Sequence, residues 1–319
     1  MNNIVIIGFG PFGQALTKIL LQANTESIIT VVDIDQKYVL DVIDTTFVDQ
    51  KHRLTWISSV DDIVSYDQAV TTADMVIVAV WSKFMTWVMQ AILPKMQSGS
   101  CLVNVNKWLS TNWNICYEEY RACDRPDVTY ATLAGGMAAY DVMDDMLTKA
   151  TIAVSDVSIT KKIKKCFESE IFACDVISDI TWVEYAGVLK NIISIQAWYI
   201  QADQDIDTVR TQIDQLVAVC TKQIQDHAQQ LGVDPSTFDQ TYCRDHPEYG
   251  DIRTSCYGDT RNMRLGRERA KQWSLASAIH SFEQQKITVE GINTLRTVAL
   301  MEDHPFLELL FVQDLMQKL

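Results

Sequence analysis

The stretch Ile4-Val5-Ile6-Ile7-Gly8-Phe9-Gly10-Pro11-Phe12-Gly13 decides how the first half of the chain folds. Four consecutive apolar residues predict a buried strand, and Ala15 to Leu21 repeats its apolar residues with a helical period. Between them stands G-x-G-x-x-G. The glycine spacing alone is a weak signal; its place after a strand and before a helix is what gives it meaning. In that setting Gly8 makes a tight turn, Gly10 lets the backbone approach a pyrophosphate, and Gly13 lets the helix lie close on the strand. Phe9 and Phe12 belong to the same loop and are candidate cofactor contacts. The helix N-terminus adds unpaired N–H groups and partial positive charge for the phosphates.

A second strand, Ile28 to Val32, runs into Asp33. A carboxylate about 20 residues beyond the glycine loop, at a strand end, accepts hydrogen bonds from the adenine ribose and repels a 2′-phosphate. The expected cofactor is therefore NAD rather than NADP.

Working outward, strands are expected at Leu54 to Ile57, Met75 to Val80, Leu102 to Val105 and Val128 to Leu133. Helices are expected at Phe84 to Leu93 and Trp113 to Arg121. Thr151 to Ser155 adds a strand and Lys161 to Glu168 a helix. Strands alternating with helices predict an α/β fold: a doubly wound, Rossmann-like parallel sheet. From about Thr181 the pattern turns helical. Val183 to Gln201 is long and apolar, and Val209 to Leu231 is closed by Gly232 with Pro235 beyond it. The expected organisation is a dinucleotide-binding domain over 1–180 and an all-helical substrate and catalytic domain over 181–319. The apolar segment Phe306 to Leu315 reads as a core helix, with a homodimer interface as the alternative.

Composition narrows the function. The 319 residues are 48% hydrophobic, enough for two packed domains, and the net charge is -14. An acidic surface disfavours nucleic acid and anionic membranes as partners. The N-terminus carries no basic leader, no apolar run is long enough to span a bilayer, and the eight cysteines form no C-x-x-C pair. These features predict a cytoplasmic protein with reduced thiols, and no residue cluster has the spacing of a metal site. The five histidines show no triad-like arrangement.

In the second half, Lys190 sits in an otherwise apolar helical segment, Gly187-Val188-Leu189-Lys190-Asn191. Burying a lone lysine is costly unless it is paired or functional. Further along come Gly250-Asp251-Ile252-Arg253-Thr254-Ser255-Cys256, Arg261-Asn262-Met263 and Val289-Glu290-Gly291. In the first half stand Val103-Asn104-Val105-Asn106-Lys107 and Leu133-Ala134-Gly135-Gly136-Met137-Ala138-Ala139. In this order the segments resemble those of the NAD-dependent glycerol-3-phosphate dehydrogenases, and the resemblance runs over nearly the whole chain. The Leu-Lys-Asn and Arg-Asn segments are its most specific parts.

The resemblance implies a hydride transfer between NAD(H) and a small phosphorylated substrate, sn-glycerol 3-phosphate or dihydroxyacetone phosphate. It implies Lys190 as proton donor and acceptor, Lys107 as the second cation on the reacting carbonyl, and Asp251 as the carboxylate that orients the ammonium groups. It places Arg261 and Asn262 at the substrate phosphate, with Arg261 also near the cofactor. Thr254 and Gly135 line the substrate, while Ala139 and Glu290 contact the cofactor. The chemistry agrees: oxidising an alcohol requires a base for the hydroxyl proton, and a nearby cation stabilises the alkoxide. A guanidinium matches phosphate oxygens with paired donors.

The chain also departs from the family. Gly136-Met137-Ala138 replaces Pro-Ser-Phe, Trp108 follows Lys107 where glycine is usual, and Pro11-Phe12 replaces a Ser-Trp pair. These changes favour, as an alternative, a dehydrogenase of another phosphorylated polyol or hydroxy acid. The second alternative is a non-catalytic NAD(H) sensor, against which retention of Lys107, Lys190, Asp251, Arg261 and Asn262 argues.

Overall fold

The computed structural model describes residues 1–23, 26–110, 114–201, 204–234, 251–252, 255–257, 261–272, 274–285, 287, 289–300 and 305–317. The chain divides into two compact units. The first comprises Met1–Trp108 with Cys116–Ile180, the second Leu109–Ile115 with Thr181–Leu319.

The first unit is an eight-stranded sheet. Its strands are β1 (Asn3–Ile7), β2 (Ile28–Asp33), β3 (Leu54–Ser58), β4 (Met75–Val78), β5 (Cys101–Asn104), β6 (Thr129–Ala134), β7 (Thr148–Val154) and β8 (Phe172–Ile177). They lie in the order β3-β2-β1-β4-β5-β6-β7-β8. Helices α1 (Pro11–Ala23), α2 (Gln36–Thr46), α3 (Ile63–Thr72), α4 (Met85–Ile92), α5 (Cys116–Ala122), α6 (Ala139–Met143) and α7 (Thr160–Phe167) alternate with them. Ile4 to Ile7 and Met75 to Val78 are buried throughout. Central strands of a sheet covered on both faces must be continuous apolar runs, and these are. The first six strands are parallel, as expected. The β6–β7 pair is antiparallel and β7–β8 parallel, so the last two strands run against the other six. The helix expected at Trp113 to Arg121 begins only at Cys116, and residues 111–113 lie outside the described residues.

β1 lies between β2 and β4, with Ile7 opposite Val32 on one side and Val78 on the other. The chain runs from β1 outward to β3 and then crosses back to β4 on the other side of β1, which opens a crevice at the carboxyl ends of β1 and β4. The glycine loop and Asp33 sit at that end.

The second unit is helical: α8 (Ile180–Gln201), α9 (Ile206–His227), α10 (Arg261–Gln272), α11 (Leu275–Gln284), α12 (Glu290–Ala299) and α13 (Leu310–Met316). Asp205 caps α9 through Asp207 N at 2.8 Å, and Ser274 caps α11 through Ser277 N at 3.3 Å. Gly232 takes a positive φ of 73° four residues after Ala228, the stop foreseen in the sequence. In α13, Phe311, Val312 and Leu315 are buried. The seven described cysteines form no disulfide with one another; Cys243 lies outside the described residues. No helix among the described residues is long and apolar enough to cross a membrane.

Candidate active site

In the first unit the glycine loop is built as its spacing requires. Gly8 N donates to Val32 O at 2.8 Å and Gly8 has φ +98°. A Cβ on Gly13 would lie 2.1 Å from Gly8 O, so the start of α1 approaches β1 closely enough to exclude any side chain. A Cβ on Gly10 would meet no protein atom within 4 Å. Nothing inside the protein demands glycine there; open space beside backbone is what a bound pyrophosphate needs. The first-turn amides of Phe12 and Gly13 precede any intrahelical acceptor and remain for phosphate oxygens. These residues fit a dinucleotide.

Phe9 contributes differently from expectation. Its ring is fully buried and packs 6.2 Å from the Phe47 ring, so no face of it is left for a ligand. Its amide donates to Asp33 Oδ2 at 2.7 Å. Asp33 Oδ1 accepts from Ile34 N at 2.7 Å and Asp35 N at 3.2 Å. An ionised carboxylate has about four acceptor positions, so three are taken and about one remains for a ribose hydroxyl. Asp33 therefore braces the glycine loop through the Phe9 amide and keeps about one acceptor position open. Gln14 Nε2 closes the same corner, donating to Phe9 O at 3.1 Å and to Tyr38 Oη at 2.7 Å.

Lys107 stands in the half-buried loop after β5, next to half-buried Trp108. Gly135 ends the run of β6 at φ +138°, and a Cβ there would lie 2.8 Å from Ala150 Cα. Close packing on β7 therefore explains this glycine without a ligand. Ala139 opens α6 and packs against the sheet core.

In the second unit, Lys190 and Asp251 form an ion pair with side chains only 10% and 7% exposed. Four residues further along each segment, Ser194 Oγ donates to Ser255 O at 2.6 Å. One face of α8, carrying residues 190 and 194, thus meets the helical residues 251, 252 and 255–257 in register. The adjoining face carries Asn191. Its Oδ1 accepts from Asn262 Nδ2 at 2.8 Å, and its Nδ2 donates to Glu290 Oε2 at 3.3 Å. Asn262 Oδ1 in turn accepts from Gly291 N at 3.1 Å. Asn191 and Asn262 are both buried, and the chain of bonds ties α8, α10 and the start of α12 together. Arg261 is exposed at the first position of α10. Thr254 and Gly250 lie outside the described residues.

The helical unit therefore brings together Lys190 with Asp251, and Asn262 with Glu290. Sequence reasoning assigned no role to Asn191, Ser194 or Ser255. A signal for two of them was present: Ser194 follows Lys190, and Ser255 follows Asp251, at the same four-residue helical spacing. Cys256 adjoins the Lys190–Asp251 pair, and burial pushes its thiol well above the ordinary range. It stays protonated and inert.

Comparison with known proteins follows the same division. A family profile described as the NAD-dependent glycerol-3-phosphate dehydrogenase N-terminus matches residues 3–160, and one described as its C-terminus matches residues 179–317. The chain is 24% identical over 301 residues to a glycerol-3-phosphate dehydrogenase [NAD(P)+] of Alcanivorax borkumensis, covering 93% of this chain and 84% of the relative. To the enzyme of the same name from Geobacter metallireducens it is 21% identical over 304 residues, covering 92% and 85%. Its fold is like that of the glycerol-3-phosphate dehydrogenase of Coxiella burnetii, with a TM-score of 0.75 at 16% identity over 98% of both chains. It is also like that of Plasmodium falciparum, with a TM-score of 0.78 at 19% identity over 99% of this chain and 90% of the other.

Proposed function

The chain belongs to the NAD-dependent glycerol-3-phosphate dehydrogenase family, and from that premise we propose that it interconverts sn-glycerol 3-phosphate and dihydroxyacetone phosphate. When bound, the dinucleotide supplies the hydride acceptor in oxidation and the hydride donor in reduction. Gly10, Phe12 and Gly13 hold its pyrophosphate by backbone, and the last acceptor position of Asp33 takes a ribose hydroxyl. The like charge of Asp33 against a 2′-phosphate makes the preferred form NAD, although the relatives carry names that include both forms.

As the neutral amine Lys190 takes the proton from the C2 hydroxyl while that carbon loses its hydride, and as the ammonium it returns the proton when the ketone is reduced. Lys107 places a second positive charge on the same oxygen and stabilises the developing alkoxide. Asp251 holds the Lys190 ammonium in place. Arg261 grips the phosphate at the other end of the substrate, and Asn262 fixes the backbone beside it. Glu290, Ala139, Thr254 and Gly135 complete the contacts to cofactor and substrate.

The observation that supports this reading best is the buried Lys190–Asp251 pair. Desolvation cancels most of what such a pair gains, so it is a poor device for stability. An apolar pair would pack as well at less cost. A lysine and an aspartate kept at that depth fit an acid–base role.

The test is to incubate the pure protein with NADH and dihydroxyacetone phosphate and follow the loss of reduced-nicotinamide absorbance. Rapid loss is expected, with little when NADPH replaces NADH. Activity confined to other keto compounds would replace the substrate, and tight NADH binding without any turnover would leave a sensor.

A further inference from the structure

We propose that Asn104 and Asn106 are positioning residues that set where the Lys107 ammonium can reach. The inference rests on the reading of Lys107 as the second cation at the substrate oxygen, and adds to it the device that aims the residue.

Regular pairing of β5 stops at Asn104, which is opposite Val78 of β4 and Thr132 of β6. Residues 105–108 beyond it have no strand pairing, so the path to Lys107 must be fixed by other bonds. Asn104 supplies two of them. Its Oδ1 accepts from Asn106 N at 2.8 Å, and its Nδ2 donates to Asn106 O at 3.1 Å. One carboxamide thus holds both backbone groups of a single residue. The carbonyl it holds belongs to the planar peptide whose nitrogen is that of Lys107, so the start of Lys107 is fixed with it.

Asn106 carries the restraint to the neighbouring strand. Its Nδ2 donates to Val78 O, the end of β4, at 3.0 Å and to Met85 Sδ at 3.3 Å. The loop is thereby stitched to the carboxyl ends of two adjacent strands, the edge at which the glycine loop also lies.

The chemistry of the two side chains is specific. Asn104 is fully buried, and only a carboxamide of this length offers a donor and an acceptor side by side. Aspartate would set an oxygen against the Asn106 carbonyl, and leucine would leave both backbone groups unpaired. A lysine ends in a flexible four-carbon stem. Its backbone is what limits the volume the ammonium visits, and that volume decides how often the ammonium meets the substrate oxygen.

The test is a double-mutant cycle in the full chain: wild type, Asn106→Leu, Lys107→Met and the pair together. It reads kcat and KM for dihydroxyacetone phosphate, NADH affinity by fluorescence, and the thermal midpoint. Asn106→Leu is expected to lower kcat/KM about 10-fold or more, the scale on which misplaced groups lose rate, with NADH affinity unchanged. In the Lys107→Met background the same change should lower it no further. An equal loss in both backgrounds would mean that Asn106 acts elsewhere, and would overturn the proposal. So would a folded Asn106→Leu with full activity beside a weakened Lys107→Met, which leaves the Lys107 reading standing. Full activity of Lys107→Met would remove both. Asn104→Leu, if it folds, should reproduce the Asn106→Leu pattern more strongly; a folded Asn104→Leu with wild-type kinetics counts against the proposal.

Discussion

The sheet unit and the helical unit keep their polar groups in opposite places. In the sheet unit they stand where strands end: Gly8 after β1, Asp33 at the end of β2, and Asn104 and Lys107 at and after the end of β5. The central strands β1 and β4 are apolar and buried from Ile4 to Ile7 and from Met75 to Val78. In the helical unit α8 is buried on every face from Trp182 to Trp198, and Lys190 and Asn191 lie in the middle of it. A sheet exposes its loop ends at no cost to its core, so chemistry can be added there without paying in stability. A helix surrounded by other helices has no such margin. Its charged and carboxamide groups need partners from other segments, and Lys190 finds Asp251 while Asn191 finds Asn262 and Glu290.

The largest expected effect tests the buried pair. Lys190→Met should lower turnover by about 10²–10⁴-fold, the range for an acid–base group. It also leaves Asp251 buried without its cation, which costs about 3–5 kcal/mol. Adding Asp251→Leu should restore most of that stability, read by urea denaturation, and none of the turnover. If turnover returned with stability, the pair would be a structural element and the contrast between the units would vanish.

An intermediate effect concerns the bridge among the helices. Asn262→Ala leaves the Gly291 amide and the Asn191 carboxamide oxygen without this partner in a buried setting. It should destabilise the protein by about 1–3 kcal/mol. A loss of activity with no change in unfolding midpoint would show that Asn262 serves the substrate alone.

The smallest effect is predicted at the sheet edge. Asp33→Asn should lower the unfolding midpoint slightly, because a carboxamide keeps one acceptor oxygen and gives up either the Phe9 amide or the Ile34 and Asp35 amides. It should narrow the preference for NADH over NADPH by about 10-fold, or about 1.4 kcal/mol, as the repulsion of a 2′-phosphate is removed. A preference unchanged in the variant would take the selectivity away from Asp33.

The same contrast explains what could be read from the sequence. The glycine loop and the central strands were legible because burial on both faces forces continuous apolar runs, and because a strand followed by G-x-G-x-x-G has few other uses. Helix α2 buries only Val39 and Ile43, too thin a stripe to announce a helix, although Asp35 stood ready as its cap. Strand β8 buries only Phe172 and Cys174 and interrupts its run with Asp175, so it carried no strand pattern. The reversal of β7 and β8 left no trace in composition, since strand direction depends on how a connection turns. In the helical unit, Lys190 stood out as a lysine in an apolar helix, but its role, and Asp251, Arg261 and Asn262 with it, came from the resemblance. The contacts that join them come from segments far apart in the chain, and periodicity reports only neighbours along one helix. The amide of Phe9 binding Asp33, and the double grip of Asn104 on Asn106, were equally hidden, because both use backbone groups that every residue has.

The central claim is that the ammonium group of Lys190 moves the proton of the reacting alcohol. The most direct test is a crystal structure with NAD⁺ and glycerol 3-phosphate bound. The account predicts the Lys190 nitrogen at hydrogen-bond distance, about 3 Å, from the C2 oxygen, with Asp251 on its far side. An ammonium turned away from that oxygen, with no water linking the two, would contradict it.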